Sequence, residues 1–250
     1  MKTRVFALAC HPDDIEFMMG GTLCLLKEAG CELHYMTLAN GSCGTMEYSI
    51  EEIVRIRRQE SQNAAAYMGA TYYESLANDL EVFYTQDLIR QVTAIIRKIK
   101  PDIMLIPSTE DYMEDHMNTA RIAVTAAFCK GMPNYLSFPP EPPIQQDITL
   151  YHALPYGLTD GLRRRIMPDF YVDITSAIDQ KEHMLACHAS QKNWLDKSQG
   201  LDAYLITMRE MSEEVGNMSR KFRYAEGWRR HSHLGYSSKE IDPLREILKV

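Results

Sequence analysis

The segment His11-Pro12-Asp13-Asp14-Ile15-Glu16 holds one imidazole and three carboxylates, directly behind the apolar run 5–10. Such a cluster is costly to assemble unless a cation or a reaction uses it. An imidazole and a carboxylate three positions apart, His11 and Asp14, suit Zn²⁺. A catalytic zinc site takes three protein ligands and keeps a position open for water. His116, in Asp111-Tyr112-Met113-Glu114-Asp115-His116, is the candidate third ligand. Adjacent carboxylates do not easily reach one metal from a tight turn, so Asp14 as ligand and Asp13 as general base is the natural division. Each residue alone has a plainer reading: a histidine beside a turn as a cap or surface group, Asp13 or Asp14 as a helix N-cap.

These residues work together only if the fold brings them together. The run 5–10 reads as a strand feeding a helix over 16–29 that Gly30 ends. A strand over 32–38, a turn at Asn40-Gly41-Ser42 and a helix over 50–68 stopped at Gly69 follow. Then come a short strand over 71–74, a helix over 86–100, a buried strand over 103–106 and a helix over 115–129. This βαβ alternation predicts an α/β fold, a Rossmann-like, mostly parallel sheet with helices on both faces. In that arrangement 111–116 follows the strand 103–106 and reaches the same sheet edge as His11, where open parallel sheets bind ligands. The segment 132–146, with five prolines, reads as a loop, a rim or an interface. Strands over 148–153 and 171–174 and helices over 176–189 and 202–215 complete the chain, giving one domain across 1–250 with an elaborated second half.

A chain of 250 residues, 45% hydrophobic and 24% charged, suits one large α/β domain. Its net charge of -7 argues against a general nucleic-acid binder, and Arg163-Arg164-Arg165 suits a solvated face or an anionic contact. No apolar run approaches the roughly 18 residues of a membrane span. Six cysteines without a CxxC pair, and no signal peptide at the start, predict reduced thiols in a cytoplasmic protein. A dinucleotide enzyme is disfavoured, because no Gly-x-Gly-x-x-Gly follows the first strand.

The His11-Pro12-Asp13-Asp14-x-Glu16 segment and Gly20-Gly21-Thr22 resemble the LmbE/PIG-L family of zinc-dependent de-N-acetylases. Asn40-Gly41, Arg57-x-x-Glu60, Lys100-Pro101-Asp102 and Asp111…Asp115-His116 fall in the family's order, as do Asp173-Ile174-Thr175, Lys181, His188-Ala189-Ser190-Gln191 and Tyr224-Ala225-Glu226. The resemblance spans residues 3 to 228. It implies zinc on His11, Asp14 and His116, with Asp13 as general base and an N-acetylated sugar or glycoside as substrate. It further implies substrate contacts from Arg57 and Asp79, and supporting places behind the ligands for Asp115 and His188. Plainer readings stand beside these: an ion pair for Arg57, a turn for Asp79 and a buried cap for His188. A homo-oligomer is compatible with the resemblance.

The chain departs from the family pattern at one position. A His-Pro-Asp-His motif has an imidazole where this sequence has Met113, with Glu114 in place of the proline. That imidazole is expected to stabilise the oxyanion, and a lost oxyanion donor can cost about 10²–10³ in rate. Tyr112, another donor or the metal must then take over. The alternative is a metal-binding, non-catalytic or regulatory homologue with weakened chemistry.

Overall fold

Along β1 (Arg4–Ala9) the side chains of Val5, Ala7 and Ala9 enter one hydrophobic core, and those of Phe6 and Leu8 enter another. Alternate residues of a strand point to opposite faces, so this strand is buried on both sides, as in a sheet covered by two helical layers. The computed structural model describes residues 2–192 and 203–250. In it β1 pairs in parallel with β2 (Glu32–Thr37) on one side and β4 (Ile103–Ile106) on the other. β3 (Thr71–Tyr73) extends the sheet beyond β2, and β5 (Thr149–Ala153) extends it beyond β4, all in parallel.

The first layer contains α1 (Asp14–Glu28), α2 (Ile50–Met68), α5 (Ile178–Leu185), α6 (Ala203–Ser219) and α7 (Pro243–Leu248). The second contains α3 (Gln86–Ile99) and α4 (Glu114–Phe128). Local chemistry sets the ends of α2. Ser49 and Glu52 form a reciprocal capping box, and Gly69 closes the helix at φ 67°. Gly21 lets α1 pack closely, since a Cβ there would lie 2.7 Å from the Ile174 side chain.

Helix 50–68 and strand 103–106 coincide with the sequence pattern, and most other boundaries in the first half move by one or two residues. Helix α5 is shorter than expected, and the predicted start of the following helix at Asp202 lies outside the described residues. The larger difference is β7 (Ala225–Arg230), for which periodicity predicts no strand. It inserts antiparallel between β5 and β6 (Phe170–Asp173), giving a seven-stranded order β3-β2-β1-β4-β5-β7-β6. Its sequence, Ala-Glu-Gly-Trp-Arg-Arg, hides the strand because one of its buried positions is Glu226, neutralised by Lys181 at 2.7 Å.

Candidate active site

Strands β1 and β4 are parallel neighbours, yet the chain leaves them for opposite faces of the sheet, into α1 and α4. Their carboxyl ends diverge and open a crevice at the switch point. The turn after β1 brings His11, Asp13 and Asp14 to the crevice, and the loop after β4 brings Tyr112, Met113 and His116. The crevice widens into a cavity of about 400 Å³, within the range that binds small ligands.

The turn is built around a strained residue. Asp13 stands at the N-cap of α1 with φ 108° and ψ -24°, in the left-handed region that favours glycine, and its side chain does not cap the helix. Such a residue costs about 1–3 kcal/mol and persists only where its surroundings over-determine it. Here Asp14 Oδ2 accepts the amides of His11 at 2.8 Å and Cys10 at 3.2 Å, folding the turn back on itself. The Arg57 guanidinium donates to the Pro12 carbonyl and, at 3.0 Å, to Asp13 Oδ2.

Three donors meet where the turn faces α4. His11 Nδ1 lies 3.2 Å from His116 Nε2 and 3.7 Å from Asp14 Oδ2, and His116 Nε2 lies 3.4 Å from that same oxygen. A tetrahedral metal with nitrogen and oxygen ligands at about 2.0–2.2 Å has ligand–ligand edges of about 3.3–3.6 Å. The observed triangle fits that spacing. The far nitrogen of each imidazole faces a carboxylate. His11 Nε2 bonds Asp115 Oδ2 at 3.2 Å, and His116 Nδ1 stands 3.1 Å from Asp111 Oδ2, close enough for an ion pair though misaligned for a straight hydrogen bond. A carboxylate beside the outer nitrogen favours a proton there and leaves the inner lone pair for a metal, the arrangement that metal-ligating histidines require. Arg57 is paired with Asp13, while Asp14, Asp111 and Asp115 face the two imidazoles, so a cation between the rings would meet excess negative charge. These residues can hold a metal ion. A second grouping, Cys10, His11 and Asp115, is less suited: Cys10 is fully buried outside the cavity lining, and burial pushes its thiol up to about 11.

The electrostatics separate the two adjacent aspartates. Burial raises the Asp13 carboxyl above its usual range, with Arg57 opposing and Asp14 adding to the rise. Asp14 is buried as well, but His116 and the bonds from His11 outweigh burial and hold its pKa well below the usual range. Burial also disfavours a charged His116, yet the Asp14 and Asp111 carboxylates raise its pKa.

Arg57 and Asp79 hold backbone around the cavity, and Asp115 and His188 are buried behind it. Arg57 lines the cavity but is 3% exposed and engaged with the turn that carries Asp13. Asp79 also lines the cavity, and its two oxygens accept the amides of Gly41 at 2.7 Å and Cys43 at 2.9 Å, anchoring the loop after β2. Asp115 accepts the Leu80 amide at 2.7 Å besides the His11 ring. His188 is fully buried, with Nε2 3.3 Å from Glu16 Oε2.

Sequence reasoning assigns no role to Asp111, Glu60, Gln191 or Tyr204. Asp111 backs His116. Glu60 accepts the Ser190 amide and hydroxyl, both at 2.7 Å. Gln191 and Tyr204 line the cavity, and burial together with the neighbouring Asp13 drives the Tyr204 phenol far above its usual pKa. Glu60 had a periodic signal, its one-turn spacing from Arg57 on α2, while Asp111 and Gln191 stood only within the motifs of the resemblance and Tyr204 in none.

Residues 6–127 match the family described as PIG-L: GlcNAc-PI de-N-acetylase. That segment is a PIG-L/LmbE family domain. The matched residues include both the turn after β1 and the loop after β4 that line the cavity. Over 236 residues the chain is 28% identical to diacetylchitobiose deacetylase of Thermococcus kodakarensis, covering 90% of this chain and 82% of that relative. It is also 25% identical over 212 residues to 4-oxalmesaconate hydratase of Pseudomonas putida, covering 77% of this chain and 75% of the relative. The solved structure of N,N'-diacetylchitobiose deacetylase from Pyrococcus horikoshii superposes with a TM-score of 0.77 at 26% identity, covering 97% of this chain and 88% of that one. No helix among the described residues is long and apolar enough to cross a membrane.

Proposed function

We propose that this PIG-L protein is a zinc-dependent hydrolase that removes an acetyl group from the amide nitrogen of an N-acetylated sugar or glycoside. In this reading His11, Asp14 and His116 hold the metal, and Asp13 is the general base. One observation carries it: three donors at tetrahedral spacing on a cavity wall, beside a carboxylate held in strained backbone that takes no part in capping. Two imidazoles and a carboxylate form a donor set that suits zinc. The diacetylchitobiose deacetylases among the relatives support an amino-sugar substrate. Six unpaired cysteines support a cytoplasmic setting.

When bound, the metal supplies Lewis acidity that polarises the acyl carbonyl and makes water acidic enough to attack near neutral pH. Asp13 takes the proton released from the attacking water and delivers it to the departing amine nitrogen. Its raised pKa suits both halves of that transfer, and Arg57 fixes its position. Met113 lines the cavity with a thioether that cannot donate to an oxyanion. Tyr112 brings a hydroxyl to the same wall, with its ring edge-on to His116 at 5.8 Å and its pKa pushed up to about 12 by burial. Tyr112 is therefore the donor assigned to the place the imidazole leaves. The triangle of donors, with Asp13 and its Arg57 partner beside it, supports catalysis over a metal-binding homologue without chemistry.

The test is acetate release from N-acetylglucosamine and N,N'-diacetylchitobiose, with zinc-loaded and chelator-treated protein. Zinc-dependent release is expected. Asp13→Asn should lower kcat by about 10²–10⁴-fold while the protein keeps its zinc. Full activity in that variant would overturn the role of Asp13. Hydration of an unsaturated dicarboxylate with no acetate release would overturn the hydrolase reading.

A further inference from the structure

Gln191 is 8% exposed and lines the cavity, and its carboxamide Oε1 is buried without a hydrogen-bond partner. A buried acceptor left unpaired costs free energy until a donor reaches it. Both Asp79 oxygens accept backbone amides, and Arg57 Nη2 is bound to Pro12 and Asp13, while Arg57 Nε is itself buried without a partner. The position of Gln191 is itself enforced. Glu60 grips the preceding Ser190 through both its amide and its hydroxyl. The loop after β2 passes beside it at Gly44, where a Cβ would come within 3.2 Å of Gln191 Oε1 and 2.4 Å of Arg57 Nη1. The glycine thus leaves the acceptor open to a hydrogen-bond donor that enters the cavity.

We propose that Gln191 is a specificity residue whose Oε1 accepts a hydrogen bond from a ring hydroxyl of the sugar that bears the acylated nitrogen. This rests on the reading of the cavity as an amino-sugar site. A site built to receive a hydroxyl discriminates strongly against an analogue that lacks it, because its own polar group is then left unpaired. Loss of the partner from either side should therefore cost about the same, and losing both should cost little more.

The probes are methyl N-acetyl-β-D-glucosaminide and its 3-, 4- and 6-deoxy analogues, measured by kcat/KM for acetate release and by calorimetric binding. For the native protein, one deoxy analogue should lose about 10- to 100-fold in both measurements. Gln191→Met should lose a similar factor on the parent glycoside, chiefly in KM, and should no longer distinguish the parent from that analogue. Gln191→Glu, which keeps an acceptor, should retain the discrimination. An unchanged thermal midpoint in the two variants separates recognition from folding. Acetate release in which Gln191→Met matches the native protein on all four glycosides would overturn the role of Gln191 and leave the hydrolase intact. Gln191-dependent binding without acetate release would uphold recognition and overturn the hydrolase. Failure of the native protein to bind any of the four would overturn the inference.

Discussion

Asp111 and Asp115 stand behind His116 and His11, one carboxylate beside the outer nitrogen of each ring. Carboxylates in this position orient a ligating imidazole and raise its basicity, and their loss costs about 10–100-fold in metal affinity. Asp111→Asn is a clean test. Its Oδ1 can still accept the Met113 amide, now at 3.0 Å, so the loop keeps its turn while the oxygen facing His116 becomes an N–H₂ donor. Metal affinity measured by chelator competition should fall by that factor, with little change in the unfolding midpoint. At this scale the candidates His11, Asp13 and Asp14 stood out because they are neighbours in the chain, while His116 joined them only through the order of the strands. Asp111 was harder to read: its task depends on which side of the His116 ring faces outward.

At the scale of elements, α2 ties two separate parts of the site together. One turn apart on its buried face, Arg57 holds the turn with Pro12 and Asp13, and Glu60 holds Ser190, where a new helix begins at Ala189. A carboxylate at a helix start satisfies free amides and favours the dipole. Glu60→Ala should lower stability by about 1–3 kcal/mol, read as a lower urea midpoint at unchanged slope, because the Ser190 amide loses a buried acceptor. Activity should fall as well, since Gln191 follows directly. The helix itself was legible from its period, with Ser49, Glu52 and Gly69 marking its ends. What its buried polar residues grip was not, because the partners lie 44 and 130 positions away.

At the scale of the whole molecule, the sheet couples the site to the C-terminal strands. His152 on β5 donates from Nδ1 to the Pro107 carbonyl at 2.7 Å, where the chain leaves β4 for the loop that carries Tyr112 and Met113 to the cavity. With that proton committed, Nε2 accepts from His231 Nδ1 at 3.0 Å, just beyond β7. Burial lowers the His152 pKa to about 4, against 6.5 for an ordinary histidine. The unfolded chain therefore binds a proton near pH 6.5 that the folded protein accepts only near pH 4. The resulting stability is fully present above pH 6.5 and is lost as pH falls through that window, to about 3 kcal/mol at most. Urea midpoints at pH 7 and pH 4.5 should show this loss, and His152→Gln should flatten it.

Local order in the chain was enough to establish the parallel half of the sheet, the helices that cover it and the residues able to bind a metal. Those features rest on short-range causes: alternation along strands, helical period, caps, and ionisable groups crowded into one turn. The tertiary structure decided which distant groups met. It inserted β7 between β5 and β6, because the buried charge of Glu226 becomes acceptable only once Lys181 is beside it. It turned Arg57 and Asp79 towards the backbone and carboxylate they support, and left Gln191 with an open acceptor in the cavity. The physical reason is that burying a polar group is costly until its partner is in place, and partners brought together by sheet topology leave no periodic trace in sequence.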